Sequence, residues 1–200
     1  MQVVVSEHAG FCFGVKKAVD CVDKLLKENK KKVDTLGEII HNTQVVEDLK
    51  LRGAGIIYSV LDINRKLNCL FEEVAVVIRS HGIPEFQEFE LKSNKITYVD
   101  ATCPFVKKIH NIVENQEKDR DFLLVLGTKM HPEIEGICSR FKNKYFVFKN
   151  LKELEEIYAS NQELFDTKSG VLLAQTTYLI EEWQKIAKFA QKKNQKYSHI

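Results

Sequence analysis

The run Val74-Ala75-Val76-Val77-Ile78 constrains the fold more than any other stretch of the chain. A strand with one solvated face alternates apolar and polar residues. An unbroken apolar run is what a strand covered on both faces requires, which is the situation inside a parallel sheet. Further short β-branched runs predict strands over residues 3–5, 33–36, 56–58, 96–99, 122–126, 145–148 and 171–174. Between them the apolar period changes to that of a helix. Val15, Ala18, Val19, Val22, Leu25 and Leu26 make one stripe, with lysines and acids opposite. Val45, Val46 and Leu49 mark a helix that stops near Gly53. Pro84, Pro104 and Pro132 each stand where a helix can open in its first turn. The second of these helices turns Val106, Ile109, Ile112 and Val113 inward, and the third Ile134, Ile137, Cys138 and Phe141. Two more helices are predicted over 151–158 and from Tyr178 to about Lys193.

Strands alternating with helices predict an α/β protein with parallel sheets and helices on both faces. The alternation runs twice, which predicts two similar lobes, residues 1–102 and 103–200, with no Gly/Ser/Pro-rich linker at the boundary. The second half opens on Cys103-Pro104 much as the first opens on Cys12, the mark of a structural repeat.

Composition closes off several classes of function. The chain is 44% hydrophobic and 29% charged, an ordinary globular balance, and its formal net charge of +2 gives no drive toward nonspecific nucleic-acid binding. Lys30-Lys31-Lys32 reads as a solvated loop between a helix and a strand. No segment reaches the roughly 18 apolar residues needed to span a bilayer. The first residues lack the basic and long apolar regions of a signal peptide, so a cytoplasmic protein is expected. In that reducing compartment the five cysteines, odd in number and widely spaced, are core residues, nucleophiles or metal ligands rather than disulfides.

The reactive residues share one position. Cys12, His41, His81, Cys103, His131 and the pair Thr176-Thr177 each follow a predicted strand and precede a helix. Ligands of open α/β sheets bind at that carboxyl edge. Helices starting there point unpaired N–H groups and a positive dipole end toward it, which favours an anion. These groups are therefore expected to converge on a single cavity.

Cys12 lies in Gly10-Phe11-Cys12-Phe13-Gly14, where flanking glycines allow a tight turn that exposes the sulfur. A helix N-terminus favours thiolate over thiol. Ligand or nucleophile is the functional reading of Cys12 and Cys103, and a packed thiol the bland one. Cys21 and Cys138 fall on buried helical stripes and read as small core residues. Cys69 receives no role. Single histidines are as often structural as functional, but three at equivalent junctions favour function. His110 is expected on a helix surface, His8 near the Cys12 loop, and His199 without a role. Glu133 is either a dipole-complementing acid in a first helical turn or an acid reaching into the site. No phosphate-loop, dinucleotide fingerprint or Cys-x-x-Cys motif is present, so ATP, NAD and thioredoxin-like chemistry lack support.

Six stretches together resemble the hydroxymethylbutenyl diphosphate reductase family. They are Gly10-Phe11-Cys12-Phe13-Gly14-Val15, Ile40-His41-Asn42, Ser80-His81-Gly82, Asp100-Ala101-Thr102-Cys103-Pro104, His131-Pro132-Glu133-Ile134-Glu135-Gly136 and Gln175-Thr176-Thr177. Each is weak alone; six in order are specific. The resemblance implies that Cys12 and Cys103 are two of three thiolates holding a [4Fe–4S] cluster whose fourth iron takes the substrate hydroxyl. It implies that His41, His81 and His131 bind the diphosphate, that Glu133 delivers protons, and that Thr176 and Thr177 hydrogen-bond the substrate. The products would be isopentenyl and dimethylallyl diphosphate, with electrons from ferredoxin or flavodoxin.

The family is three-lobed, and its third cluster cysteine and a diphosphate-binding Ser-x-Asn segment would lie beyond residue 200. The chain is therefore expected to lack the third lobe, to be inactive by itself, and to expose a face that invites self-association. Two other readings stand beside this one. The histidines and a thiolate could hold a hydrolytic zinc, or the chain could be a diphosphate-binding module that never carries a cluster.

Overall fold

A computed structural model describes residues 3–4, 9–63 and 73–193, and the backbone of 198–199. Cys69, His8 and Val5 lie outside these. The chain forms two compact units, the first made of Met1–Gly82 with Phe89–Pro104, the second of Ile83–Glu88 with Phe105–Ile200. No single cut at residue 102 separates them. The segment Ile83–Glu88 groups with the second unit because Arg140 donates to the Ile83 carbonyl and the Glu88 carboxylate, and Ser139 Oγ accepts from the Glu85 N–H.

The first lobe carries α1 (Phe13–Glu28), β1 (Lys32–Leu36), α2 (Thr43–Leu51), β2 (Gly55–Ile57), β3 (Val74–Ile78), α3 (Glu85–Ser93, its first residues in the other unit) and β4 (Thr97–Asp100). All ladders are parallel, in the order β2-β1-β3-β4. The stripe of α1 buries Ala18 and Val22 against Val33, Val77, Val46 and Leu49. Burying each valine or leucine side chain here contributes roughly 1.5–3 kcal/mol. Asn29, in the left-handed conformation at φ 48°, ends α1 and donates its N–H to Leu25 O. Lys30, Lys31 and Lys32 are exposed, the last already within β1.

The second lobe carries α4 (Pro104–Gln116), β5 (Phe122–Leu126), α5 (Pro132–Cys138), β6 (Lys144–Phe148), α6 (Leu151–Ser160), α7 (Gln162–Thr167), β7 (Gly170–Ala174), α8 (Ile180–Lys193) and β8 (Ser198–His199). Its order is β6-β5-β7-β8, again all parallel. Numbered from its own first strand, this is the same 2-1-3-4 order as in the first lobe, so the two lobes share one topology. Successive residues of β5 serve opposite cores. Phe122, Leu124 and Leu126 pack with α6, α7 and α8, whereas Leu123 and Val125 pack with Val113, Ile134 and Ile137 of α4 and α5.

Three expectations are corrected. Val3 and Val4 are 77% and 83% exposed and form no strand. A β-branched triplet becomes a strand only where a ladder partner accepts it, and β-propensity alone does not supply one. His110 is buried, at 5% exposure, rather than on the surface. It lies four residues after Val106 and three before Val113, both buried, and so falls on the inward stripe of α4. Tyr178 precedes the last helix, which begins at Ile180. No helix among the described residues is long and apolar enough to cross a membrane.

Candidate functional site

In the 2-1-3-4 order the connections leave the first and third strands of each sheet in opposite directions. That divergence opens a crevice at the carboxyl ends of those two strands, where open α/β sheets bind ligands. In the first lobe the loops concerned follow β1 and β3 and carry His41 and His81. In the second they follow β5 and β7 and carry His131, Glu133, Thr176 and Thr177.

Backbone bonds beyond the strand ends fix the first-lobe loops. Ser80 N–H donates to Ile39 O at 3.2 Å, and Cys103 N–H donates to Ser80 O at 2.8 Å. The ladder thus continues from the loop after β1, through that after β3, to Cys103. Asn42 caps α2, its side chain accepting from Val45 N–H at 3.1 Å, and places His41 just before the helix. The rings of His41 and His81 lie 4.3 Å apart between centroids, tilted by 32°.

Cys12 is exposed and forms the N-cap of α1. Gly10 before it has φ +131°, a conformation that L side chains rarely adopt. Gly14 serves a different need. A methyl group there would lie 2.6 Å from Cys103 Sγ, so the bare glycine lets the first turn of α1 close on Cys103. The glycine-flanked loop and the Cys103-Pro104 junction are therefore brought together. Cys138 is buried and its thiol is pushed up to about 12 by burial, the state of an inert core residue. Cys21 is half-buried and packs against the first-lobe core.

In the second lobe Glu133 is 1% exposed. Thr176 holds both of its oxygens, the backbone N–H donating to Oε1 at 2.7 Å and the hydroxyl to Oε2 at 2.9 Å. Burial pushes the carboxyl above its ordinary range, and the two Thr176 donors oppose that shift without cancelling it. His131 caps α5, its Nδ1 accepting from Glu133 N–H at 3.2 Å. A neutral imidazole that accepts at Nδ1 carries its proton on Nε2, which makes Nε2 of His131 a donor.

Gln175 braces this edge. It is buried, accepts from Thr128 N–H at 3.2 Å, and donates to Thr177 Oγ1 at 3.0 Å. Sequence reasoning gave it no role, since a glutamine beside two threonines carries no sign of burial. Thr176 and Thr177 are themselves exposed. Taken lobe by lobe, one rim offers two thiols and two imidazoles. The other offers an imidazole donor, a buried carboxyl and two hydroxyls.

A family model described as LytB protein matches residues 3–200. The 4-hydroxy-3-methylbut-2-enyl diphosphate reductase of Caldanaerobacter subterraneus subsp. tengcongensis is 36% identical over 187 residues, 93% of this chain and 61% of that protein. The protein of the same name from Alkaliphilus oremlandii is 40% identical over 158 residues, 78% of this chain and 54% of that one. Among solved structures, the E-1-hydroxy-2-methyl-but-2-enyl-4-diphosphate reductase of Plasmodium falciparum superposes with a TM-score of 0.83 at 26% identity, covering 97% of this chain and 57% of that one. A second, (E)-4-hydroxy-3-methyl-but-2-enyl diphosphate reductase, the terminal enzyme of the non-mevalonate pathway, gives 0.79 at 33% identity, covering 99% and 66%. The chain thus spans roughly three-fifths of the curated relatives' length.

Proposed function

This chain belongs to the LytB protein family, and from that premise we propose that it supplies two lobes of a reductase that removes the hydroxyl of 4-hydroxy-3-methylbut-2-enyl diphosphate. The observation that carries the reading is the Glu133 carboxyl, buried at the carboxyl end of β5 and held by Thr176. Breaking an allylic C–O bond reductively takes two electrons and two protons and releases water. A carboxyl whose surroundings favour its neutral form is suited to protonate a leaving hydroxyl.

Cys12 and Cys103 fit two thiolate positions of a [4Fe–4S] cluster. Cys12 caps the start of α1 and Cys103 lies between β4 and α4, neither is buried, and bare Gly14 admits the Cys103 sulfur to the first turn of α1. Cys138, protonated and buried, does not fit. The reading places the third thiolate beyond residue 200. Bound there, such a cluster supplies electrons singly and Lewis acidity at an open iron.

His41, His81 and the Nε2–H of His131 bind the diphosphate oxygens as donors, joined by N–H groups at helix starts. Thr176 keeps Glu133 in place and, with Thr177, directs the reacting end of the substrate. Electrons come from a ferredoxin or flavodoxin, and the products are isopentenyl and dimethylallyl diphosphate, made in the cytoplasm.

The test is anaerobic reconstitution, with ferrous iron and sulfide, of this chain joined to the remaining length of its relatives, followed by assay with a low-potential reductant. A brown protein absorbing near ~400 nm that converts the allylic diphosphate is expected. A colourless protein with stoichiometric zinc and no such conversion overturns the reading.

A further inference from the structure

The geometry points to Arg140 as a positioning residue that fixes α5, and through it the Glu133 carboxyl. The inference rests on the proposed role of Glu133 as proton donor and adds a residue outside the resemblance motifs. Arg140 follows the C-cap of α5 and its side chain is 5% exposed. The guanidinium reaches four acceptors, on the Ile83–Glu88 segment, α4 and α5, all within the second unit. Nη1 donates to Ile83 O at 2.9 Å and to Gly136 O at 2.7 Å. Nε donates to Glu114 of α4 at 3.0 Å, and Nη2 to Glu88 of α3 at 3.0 Å.

The target is a short helix. Seven residues do not hold a helical conformation by propensity, so the placing of α5 comes from what grips its ends. Glu133 N–H and the Glu133 carboxylate engage His131 and Thr176 at its start. At its finish Gly136 O, otherwise an orphan carbonyl, accepts from both Arg140 and Ser139 Oγ. Gly136 itself sits in close quarters. A methyl group there would lie 3.1 Å from His110 Nε2 and 3.4 Å from Ile83 O. The peptide that Arg140 grips therefore packs closely between α4 and the Ile83 segment, one helical turn from Glu133.

A buried guanidinium with four partners in a fixed fork allows little translation of the groups it joins. Catalytic placement is sensitive on that scale, since a displacement of about 1 Å can cost on the order of 10²-fold in rate. A surface brace would not need carbonyls as acceptors from two different segments.

The test reads the Thr176 amide proton of the full chain by NMR, because its resonance reports the 2.7 Å bond to Glu133. Glu133→Gln defines the position of that resonance once the carboxylate is gone. In Arg140→Met the resonance is expected to move at least halfway to that value, while amides of β5 and β7 stay in place, and Arg140→Lys should restore part of the shift. A folded Arg140→Met with the Thr176 amide at its wild-type position overturns the inference. If Arg140→Met fails to fold, Glu114→Gln and Ser139→Ala each loosen one side of the clamp and should displace the resonance in the same direction; no displacement in either overturns it equally. Undiminished turnover in Glu133→Gln would refute the proton-donor reading while leaving this measurement intact, so the two failures are distinguishable.

Discussion

Thr176 holds Glu133 with two different donors, its own backbone N–H on one carboxylate oxygen and its hydroxyl on the other, across 43 residues of sequence. The contact both orients the acid and tempers its burial. Glu133→Gln keeps an acceptor for the N–H, and the Thr176 hydroxyl can turn to accept from the new amide. The variant should fold, and turnover in the assembled enzyme should fall by roughly 10²-fold or more, as expected for loss of a general acid. Steady-state rates against diphosphate affinity check this, with affinity unchanged.

The same residue sets a pH dependence. Glu133 is raised above its ordinary 4.5 by burial. Below that value both folded and unfolded chains hold the proton and burial has no ionic cost. As pH rises through the higher folded value, the unfolded chain is already ionised and the folded one must ionise in a buried place, so stability is lost. Urea melts should show wild type losing ground to Glu133→Gln as pH rises from about 4.5.

Asp34 offers an independent case in the first lobe. It lies in the middle of β1, 0% exposed, and neither carboxylate oxygen has a hydrogen-bond partner among the described residues. Gly55, its register partner on β2, is bare because Asp34 Oδ1 occupies the space a side chain would need. Burial raises this carboxyl above 3.8, with Lys32 pulling the other way. Asp34→Asn should leave stability nearly unchanged below that value and add about 1–3 kcal/mol at neutral pH, the scale of relieving one unpaired buried group. A gain that is the same at both pH values would argue against burial as the cause.

Gly14→Ala sets a methyl group against the Cys103 sulfur. Overpacking of this kind costs typically 1–3 kcal/mol. The first turn of α1 or the Cys103 loop must give way, so alkylation of Cys103 should change in rate, measured by mass spectrometry of labelled peptides.

Cysteine substitutions should separate by setting. Cys12→Ser, at an exposed N-cap, should alter stability by less than about 0.5 kcal/mol yet abolish iron retention in the assembled enzyme. Cys138→Ser buries a hydroxyl in an apolar cluster and should cost about 1–3 kcal/mol while leaving iron content intact. Iron analysis alongside denaturant melts distinguishes the two.

What the sequence displayed depended on how local the signal was. The bounds of β3 and β5 follow directly from runs of five apolar residues, since burial on both faces leaves no polar position to blur them. The strand-to-helix positions of His41, His81, Cys103 and His131 were visible in the sequence, whereas Cys12 kept only the helix half of its expectation, as the N-cap of α1 with no strand before it among the described residues. Helix α7 was not, being six residues of mixed polarity anchored by buried Phe165 and half-buried Leu164. Neither the grip of Thr176 on Glu133 nor the Gln175 brace could be read from spacing, because both depend on which strands become neighbours. The burial of His110 was within reach, given its place between Val106 and Val113.

The doubled strand order bears on how such a chain can change. In each lobe the crevice is framed by the two inner strands, and the second strand of each lobe, β2 or β6, lies at the outer margin of its sheet. Variation that alters chemistry is confined to the short stretches that carry the reactive residues: the start of α1, where even Gly14 is committed, and the residues after β1, β3, β4, β5 and β7.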